Sequence, residues 1–266
     1  LPYNDMRINF EFRNWNELLI LDNSASTTNV SGAPVVADVG GTAPVLGTTQ
    51  VWANYAIVSN EERTLMGQAP RDILIEQVQT APLQAFAPAT QPTPTYDIRF
   101  SHAIKALFFG CRNTTTASEW SNYTAAQSVS DGTAIIDFAP SGAVDPIVTT
   151  TLTYENTARL ANMGSDYFSL INPWFDAPVV PTDTGYHMYS YSLDFMALDP
   201  MGSTNFGKLT NVSIAPQAST GAITGAAGGQ AAATGQGRAQ TFQFVCTAVN
   251  NNVIRISGGA LGFPVL

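Results

Sequence analysis

Apolar and polar residues alternate with a period of two in several parts of the chain. Met6, Ile8, Phe10 and Phe12 share one face, and Arg7, Asn9, Glu11 and Arg13 the other. The same pattern sets Tyr189, Tyr191, Leu193 and Phe195 against Met188, Ser190, Ser192 and Asp194, and it recurs in Phe242, Phe244, Cys246 and Ala248. Side chains that change face at every residue belong to half-buried strands. Further strands are expected over residues 51–58, 73–78, 98–108, 134–138 and 149–154. Residues 253–256 are expected to pair back on the strand before them across a turn at Asn250, Asn251 and Asn252.

Residues 185–214 read as strand, irregular corner, strand. Pro200 cannot donate to a ladder and Gly202 tolerates a positive φ, so the chain turns there before Phe206, Leu209, Val212 and Ile214 restart the apolar pattern. Ser59 followed three residues later by Glu62 is a capping-box spacing, which predicts a short helix ended by Gly67 and Pro70. A second short helix is expected over residues 155–163, with Gly164 as its stop. Residues 166–174 alternate aromatic and polar side chains until Pro173 and Pro178 interrupt them. Pro82, Pro88, Pro92 and Pro94 mark one long loop, and residues 112–130 another. Residues 216–237, rich in Ala, Gly, Thr and Gln, carry too little apolar bulk to offset ordering and are expected to form an exposed loop. About eight strands, long loops and one or two short helices define an all-β, jelly-roll β-sandwich.

Composition agrees. Charged residues make up only 12% of the chain and hydrophobic ones 45%, which suits a packed core joined by uncharged loops. The formal net charge of −9 opposes direct contact with a nucleic-acid backbone. No apolar run reaches membrane-spanning length. Cys111 and Cys246, in apolar surroundings, read as buried free thiols.

The search for chemistry returns no catalytic, cofactor-binding or metal site. Residues 225–237 (GAAGGQAAATGQG) lack the Gly-Lys-Ser/Thr ending of a phosphate loop, and no Gly-x-Ser-x-Gly elbow occurs. His102 and His187 each lie in a strand pattern without a second ligand at zinc spacing. Asp183, Asp194 and Asp199 could meet around calcium only if loops converged. Glu61 and Glu62 suit the positive end of a helix. Glu76, Asp97, Glu155 and Asp194 are candidate carboxylates for a glycosidase, but nothing in the spacing pairs them. Asn29, Asn113, Asn122 and Asn211 stand in glycosylation sequons, and read as ordinary loop positions.

The strand leading into LDPMGSTNFGKLTNVS (residues 198–213) resembles the signature near the carboxyl end of major capsid proteins of large nucleocytoplasmic DNA viruses, iridovirus branch, of ranavirus and lymphocystivirus type. LPYNDMRINFEFRNW, VWANYAIVSNEER, DILIEQVQ, DIRFSHAIKALFF, YENTARLANMGSDYFSLINPWF and AVNNNVIRISGGALGFPVL resemble segments of the same family, in the same order. The resemblance implies a carboxyl-terminal part of a longer protein made of two consecutive jelly rolls. Residues 1–21 would be the last strand region of the first, 22–50 a linker, and 51–266 the second. It also implies a late, non-enzymatic structural role, in which trimeric pseudo-hexagonal capsomers form an icosahedral virion shell assembled in the host cytoplasm. The implied partners are other copies, neighbouring capsomers and minor capsid proteins, with an internal viral membrane beneath the shell. A rival reading is a carbohydrate-binding or carbohydrate-cleaving jelly roll, for which Trp52, Trp120 and Trp174 could stack on sugars. Their strand-like or proline-flanked settings favour core packing instead.

Overall fold

A computed structural model describes residues 7–19, 35–115, 121–125, 145–227 and 239–263. Within them the alternating segments form strands β1 (Arg71–Thr80), β2 (Gln84–Phe86), β3 (Tyr96–Asp97), β4 (Ala103–Asn113), β5 (Ile147–Tyr154) and β6 (Thr157–Gly164). They continue as β7 (His187–Ser190), β8 (Thr204–Asn205), β9 (Val212–Ala218), β10 (Phe242–Ser257) and β11 (Ala260–Gly262). Short helices are α1 (Trp15–Leu18), α2 (Asn60–Gln68), α3 (Asn172–Asp176) and α4 (Thr220–Ala226). The first sheet runs β1-β10-β4-β7, with β2 and β11 added beside β10 and β8 beside β4; the second runs β3-β9-β5-β6. Without the three added strands, the first sheet holds the first, eighth, third and sixth strands, and the second sheet the second, seventh, fourth and fifth. This interleaving of two antiparallel sheets is the jelly roll.

The core lies between the sheets. Tyr96 of β3 stacks on Phe244 of β10 with ring centroids 4.5 Å apart, and Ile98, Ile104, Leu107, Phe109, Phe168, Ile214 and Phe242 close around them. Each such side chain, fully buried, is worth roughly 1.5–3 kcal/mol. At the corner that follows β7, Tyr191 meets Phe206 and Tyr154, and the two phenol groups share a hydrogen bond between the sheets.

The strand expected to break at Asn250, Asn251 and Asn252 does not break. β10 passes through all three, pairing with β1 on one side and β4 on the other. A turn is unnecessary because the amides of Asn250 and Asn252 find partners on β1. Gln79 donates to Asn250 Oδ1 at 2.8 Å and Asn252 donates to Gln77 Oε1 at 2.9 Å. Opposite Val249 and Asn250, β4 carries one extra residue, Lys105, as a bulge.

Residues 157–164 form β6 rather than the expected helix. Glu155 and Asn156 adopt φ of 45° and 63° in a two-residue hairpin between β5 and β6. Positive φ at both central residues is the mirror-image turn that suits strand twist, usually supplied by Asn-Gly. Here Glu155 is held by its surroundings, its carboxylate accepting from the Thr210 and Asn211 amides at 2.6 and 3.1 Å. Residues 167–176 are helical rather than extended: a wide π-type turn, Tyr167–Ile171, runs into α3. The tyrosine-rich strand ends at Ser190, and residues 191–199 are a folded loop.

Residues 216–227, expected to be loop, are the end of β9 and α4, capped by Ser219, whose Oγ accepts from the Ala222 amide. Pro216 is tolerated because β3 pairs only through Ser213 and Ile214 there. Residues 51–58 are exposed and form no strand among the described residues, and neither do residues 7–13. Phe10 and Phe12 instead stack on each other, 6.1 Å apart, in solvent. The helix started by Ser59 is present, with Ser59 Oγ accepting from the Glu62 amide at 3.2 Å. The expected strand at 134–138 and the low-complexity residues 228–237 lie outside the described residues.

Two tests follow from the bulge and the hairpin. Lys105 is fully buried and donates to Glu76, which keeps contact with water. Glu76→Leu strands a buried ammonium and is expected to cost about 3 kcal/mol, against about 1 kcal/mol or less for Lys105→Met, read by urea unfolding. Glu155 lies below its ordinary value of 4.5, first through the Asn211 amide and then through Thr210. Its contribution is therefore present above pH 4.5 and lost as pH falls through the depressed folded value. A Glu155→Gln variant is expected to lose that component of acid sensitivity, measured as Tm from about pH 6 to about pH 3.

Candidate assembly surfaces

Among the described residues, one constellation that resembles a catalytic arrangement joins the ends of three strands. His187 opens β7, Asp145 precedes β5 and Ser165 follows β6. His187 Nε2 lies 2.8 Å from Ser165 Oγ and 2.9 Å from Asp145 Oδ2, and Ser165 donates to the same carboxylate oxygen. A nucleophilic triad needs serine and carboxylate on opposite ring nitrogens, so that the imidazole can relay a proton. Here both crowd one nitrogen, while Nδ1 is buried without a partner and the ring stacks on Phe109. The group is a clasp between the two sheets.

The other sequence candidates resolve into structural roles. His102 has φ of 68° at the entry to β4, and its carbonyl accepts from Phe206 N. Asp194 Oδ1 accepts from the amides of Met196 and Ala197, and no cluster of three metal-ligating side chains occurs among the described residues. Glu76 serves Lys105 and Glu155 serves the hairpin, so neither is available as a glycosidase carboxylate. Cys111 and Cys246 are free and buried; burial pushes the Cys246 thiol up to about 12 and the Cys111 thiol well above its usual value. Such thiols are poor nucleophiles at neutral pH. No helix among the described residues is long and apolar enough to cross a membrane.

Tryptophan was expected in the core, and that is corrected: Trp52 and Trp174 are exposed, while Trp120 lies outside the described residues. Trp174 belongs to a larger surface. The helical run from Tyr167 through α3 buries Phe168, Ser169, Asn172 and Pro173, and turns Leu170, Ile171, Trp174 and Phe175 outward, the last two 74% and 78% exposed. Asn172 fixes this run against the sheet edge by accepting from the Ser190 amide at 2.9 Å. The sequence signal was present at residues 168, 169, 172 and 173, a helical spacing hidden by Pro173, which is acceptable near a helix start.

Two more apolar features stand out. A groove of about 840 Å³ lies between α2 and the β1–β10 ribbon, lined by Val58, Met66, Ile73 and Ile256, with Arg63 and Arg71 also in its wall. The loop after β7 projects Leu193, Met196 and Leu198 into solvent. It is pinned to the outer face of the first sheet by Lys105 Nζ, which donates to the Ala197 carbonyl at 2.5 Å, and by the Phe108–Phe195 edge contact.

Two sequons fold into tight turns. Asn113 and Asn122 are buried; Asn122 Oδ1 accepts from Thr124, and Asn113 Oδ1 from Thr115. Asn211 is exposed, and Asn29 lies outside the described residues. Mass spectrometry of protein made in a secretory host is expected to find Asn113 and Asn122 unmodified. A glycan on either would mean that the turn opens.

Comparison with known proteins places the chain in a family. The family model for the large eukaryotic DNA virus major capsid protein matches residues 62–262. The chain is 63% identical over 270 aligned residues to the major capsid protein of Costelytra zealandica iridescent virus, covering all of this chain and 58% of that protein. It is 51% identical to the major capsid protein of Lymphocystis disease virus 1, covering all of this chain and 58% of that protein, and 41% identical to that of Frog virus 3, covering all of this chain and 57% of that protein. The chain thus spans somewhat over half the length of these relatives. Among solved structures, the quasi-atomic model of the PBCV-1 virus capsid shares the fold, with a TM-score of 0.58 at 21% identity over 79% of this chain and 55% of that one. The chain belongs to the family of large eukaryotic DNA virus major capsid proteins.

Proposed function

We propose that this chain is the carboxyl-terminal jelly roll of a structural capsid protein that builds an icosahedral virion shell by self-association. The observation that carries the reading is a closed, fully packed core beside extensive uncovered apolar surface on anchored elements. A single soluble domain rarely leaves such surface bare. Residues 1–21 belong in this reading to a preceding jelly roll, with 22–50 as the connection, which accounts for the exposed Phe10 and Phe12. Two jelly rolls per polypeptide and three polypeptides per capsomer give a pseudo-hexagonal block, in contact with neighbouring capsomers and minor capsid proteins. The net charge of −9 suits a shell that does not touch the genome directly. Assembly takes place in the host cytoplasm late in infection, over an internal membrane. The work of the protein is surface complementarity, and none of its residues needs to perform chemistry.

Light scattering of the full-length polypeptide tests this. A trimer is expected, with this 266-residue chain alone monomeric or aggregated. A monomer that binds oligosaccharides in both cases would overturn the proposal.

A further inference from the structure

Lys105, Asn251 and Glu76 come from three neighbouring strands. β10 lies between β4, which carries Lys105 in its bulge, and β1, which carries Glu76. The Lys105 side chain leaves β4 and ends on the Glu76 carboxylate, so it crosses the outer face of β10 on the way. The β10 residue directly opposite Glu76 is Asn251, and paired residues of an antiparallel ladder share a face with their Cβ atoms about 5 Å apart. The lysine chain therefore passes beside the Asn251 carboxamide. Nδ2 and Oδ1 of that group are both buried, and neither has a hydrogen-bond partner among the described residues. Asn250 and Asn252, on the inner face, both have partners. An unpaired buried amide costs stability and calls for a reason. Above the group lies the loop after β7, whose Ala197 carbonyl accepts from Lys105 Nζ at 2.5 Å.

We propose that Lys105 and Asn251 join in an intramolecular amide bond, with Glu76 moving the protons. A lysine amine becomes a nucleophile once it is desolvated and relieved of its proton. Glu76 takes the first ammonium proton, and the Nζ lone pair attacks Cγ of Asn251. Glu76 then passes its proton to Nδ2 and receives the second from Nζ. The Cγ–Nδ2 bond breaks, its electron pair leaves with ammonia, and the Glu76 carboxyl ends protonated. Nothing is oxidised or reduced, and no cofactor takes part. Contact of Glu76 with water gives ammonia a way out. The one N–H left on Nζ can still serve the Ala197 carbonyl. The ion pair is the freshly folded state, and the bond is its slower product. Such a link ties together two strands far apart in sequence, as a disulfide does, but in a reducing compartment as readily as in an oxidising one. It is independent of the shell reading.

The test is the intact mass of the freshly refolded full-length polypeptide, followed over time, with mapping of its proteolytic fragments. A mass lower than the sequence mass by one ammonia is expected to accumulate, with a branched fragment joining the Lys105 and Asn251 peptides. Asn251→Ala is expected to keep its full mass, and Glu76→Gln to link about tenfold more slowly or worse. A mass that stays at the sequence value after prolonged incubation would overturn the proposal. So would an ammonia loss that persists in Asn251→Ala, or a loss of water with the branch at Glu76. Glu76→Gln linking at the unmodified rate would overturn the proton-moving role of Glu76. Should either variant fail to fold, mass and mapping of the unmodified polypeptide still decide whether the bond exists.

Discussion

The fold depends on the ladder of β10. A strand in the middle of a sheet must satisfy its amides and carbonyls on both sides, since an unpaired buried backbone group costs as much as a lost hydrogen bond. β10 meets β2 and then β1 along one side, and β4 and then β11 along the other, so its sixteen residues are flanked for almost their whole length. Its inward row is apolar through Phe242, Phe244, Cys246 and Ala248 and then turns polar at Asn250 and Asn252. That change marks where the second sheet ceases to be a dry partner. Beyond it the β1–β10 ribbon continues with Ile73 exposed and Ile256 half-buried, and this uncovered stretch, with α2 beside it, makes the groove.

Most of the architecture was legible because a period of two is a direct record of which face is buried. The runs at 73–78, 149–154 and 242–248 became strands of the sandwich, and the run at 98–108 did so from Ala103 onward. What could not be read were positions where a partner distant in sequence overrides local preference. Three consecutive asparagines suggest a turn until Gln77 and Gln79 arrive from β1 to meet Asn252 and Asn250. Glu155 and Asn156 look like helix and turn material until the Thr210 and Asn211 amides, more than fifty residues away, hold the hairpin. Residues 51–58 fail in the opposite sense: all but Asn54 are apolar, but no described strand lies beside them. Alternation predicts that a face will be covered, and leaves open whether the same chain covers it.

The candidate surfaces were less legible than the fold for the same reason. Trp174 beside prolines suggested packing, and the packing is real for Phe168 and Pro173 on the inner side of the same helix. Only the three-dimensional arrangement separates the two faces. Likewise, Lys105 within an apolar strand carried no visible signal. Its role follows from a one-residue bulge that aims the ammonium at Glu76 and the Ala197 carbonyl, so that a buried charge fixes a loop whose apolar tip stays outside.

This division between anchored backbone and uncovered side chains bears on how the proposed self-association avoids indiscriminate collapse. An apolar residue on a floppy segment can bury itself anywhere and would promote aggregation. Here Leu193 and Trp174 sit on elements tied down by Lys105, Asn172 and the Phe108–Phe195 contact, so their positions are set before any partner arrives. Ordering entropy is then already spent within the monomer, and binding retains more of the free energy of covering the apolar area. Acidic net charge holds free copies apart at long range. Specificity in a contact dominated by uncharged side chains has to come from such fixed geometry, which is why the polar clasps lie directly beneath the apolar surfaces.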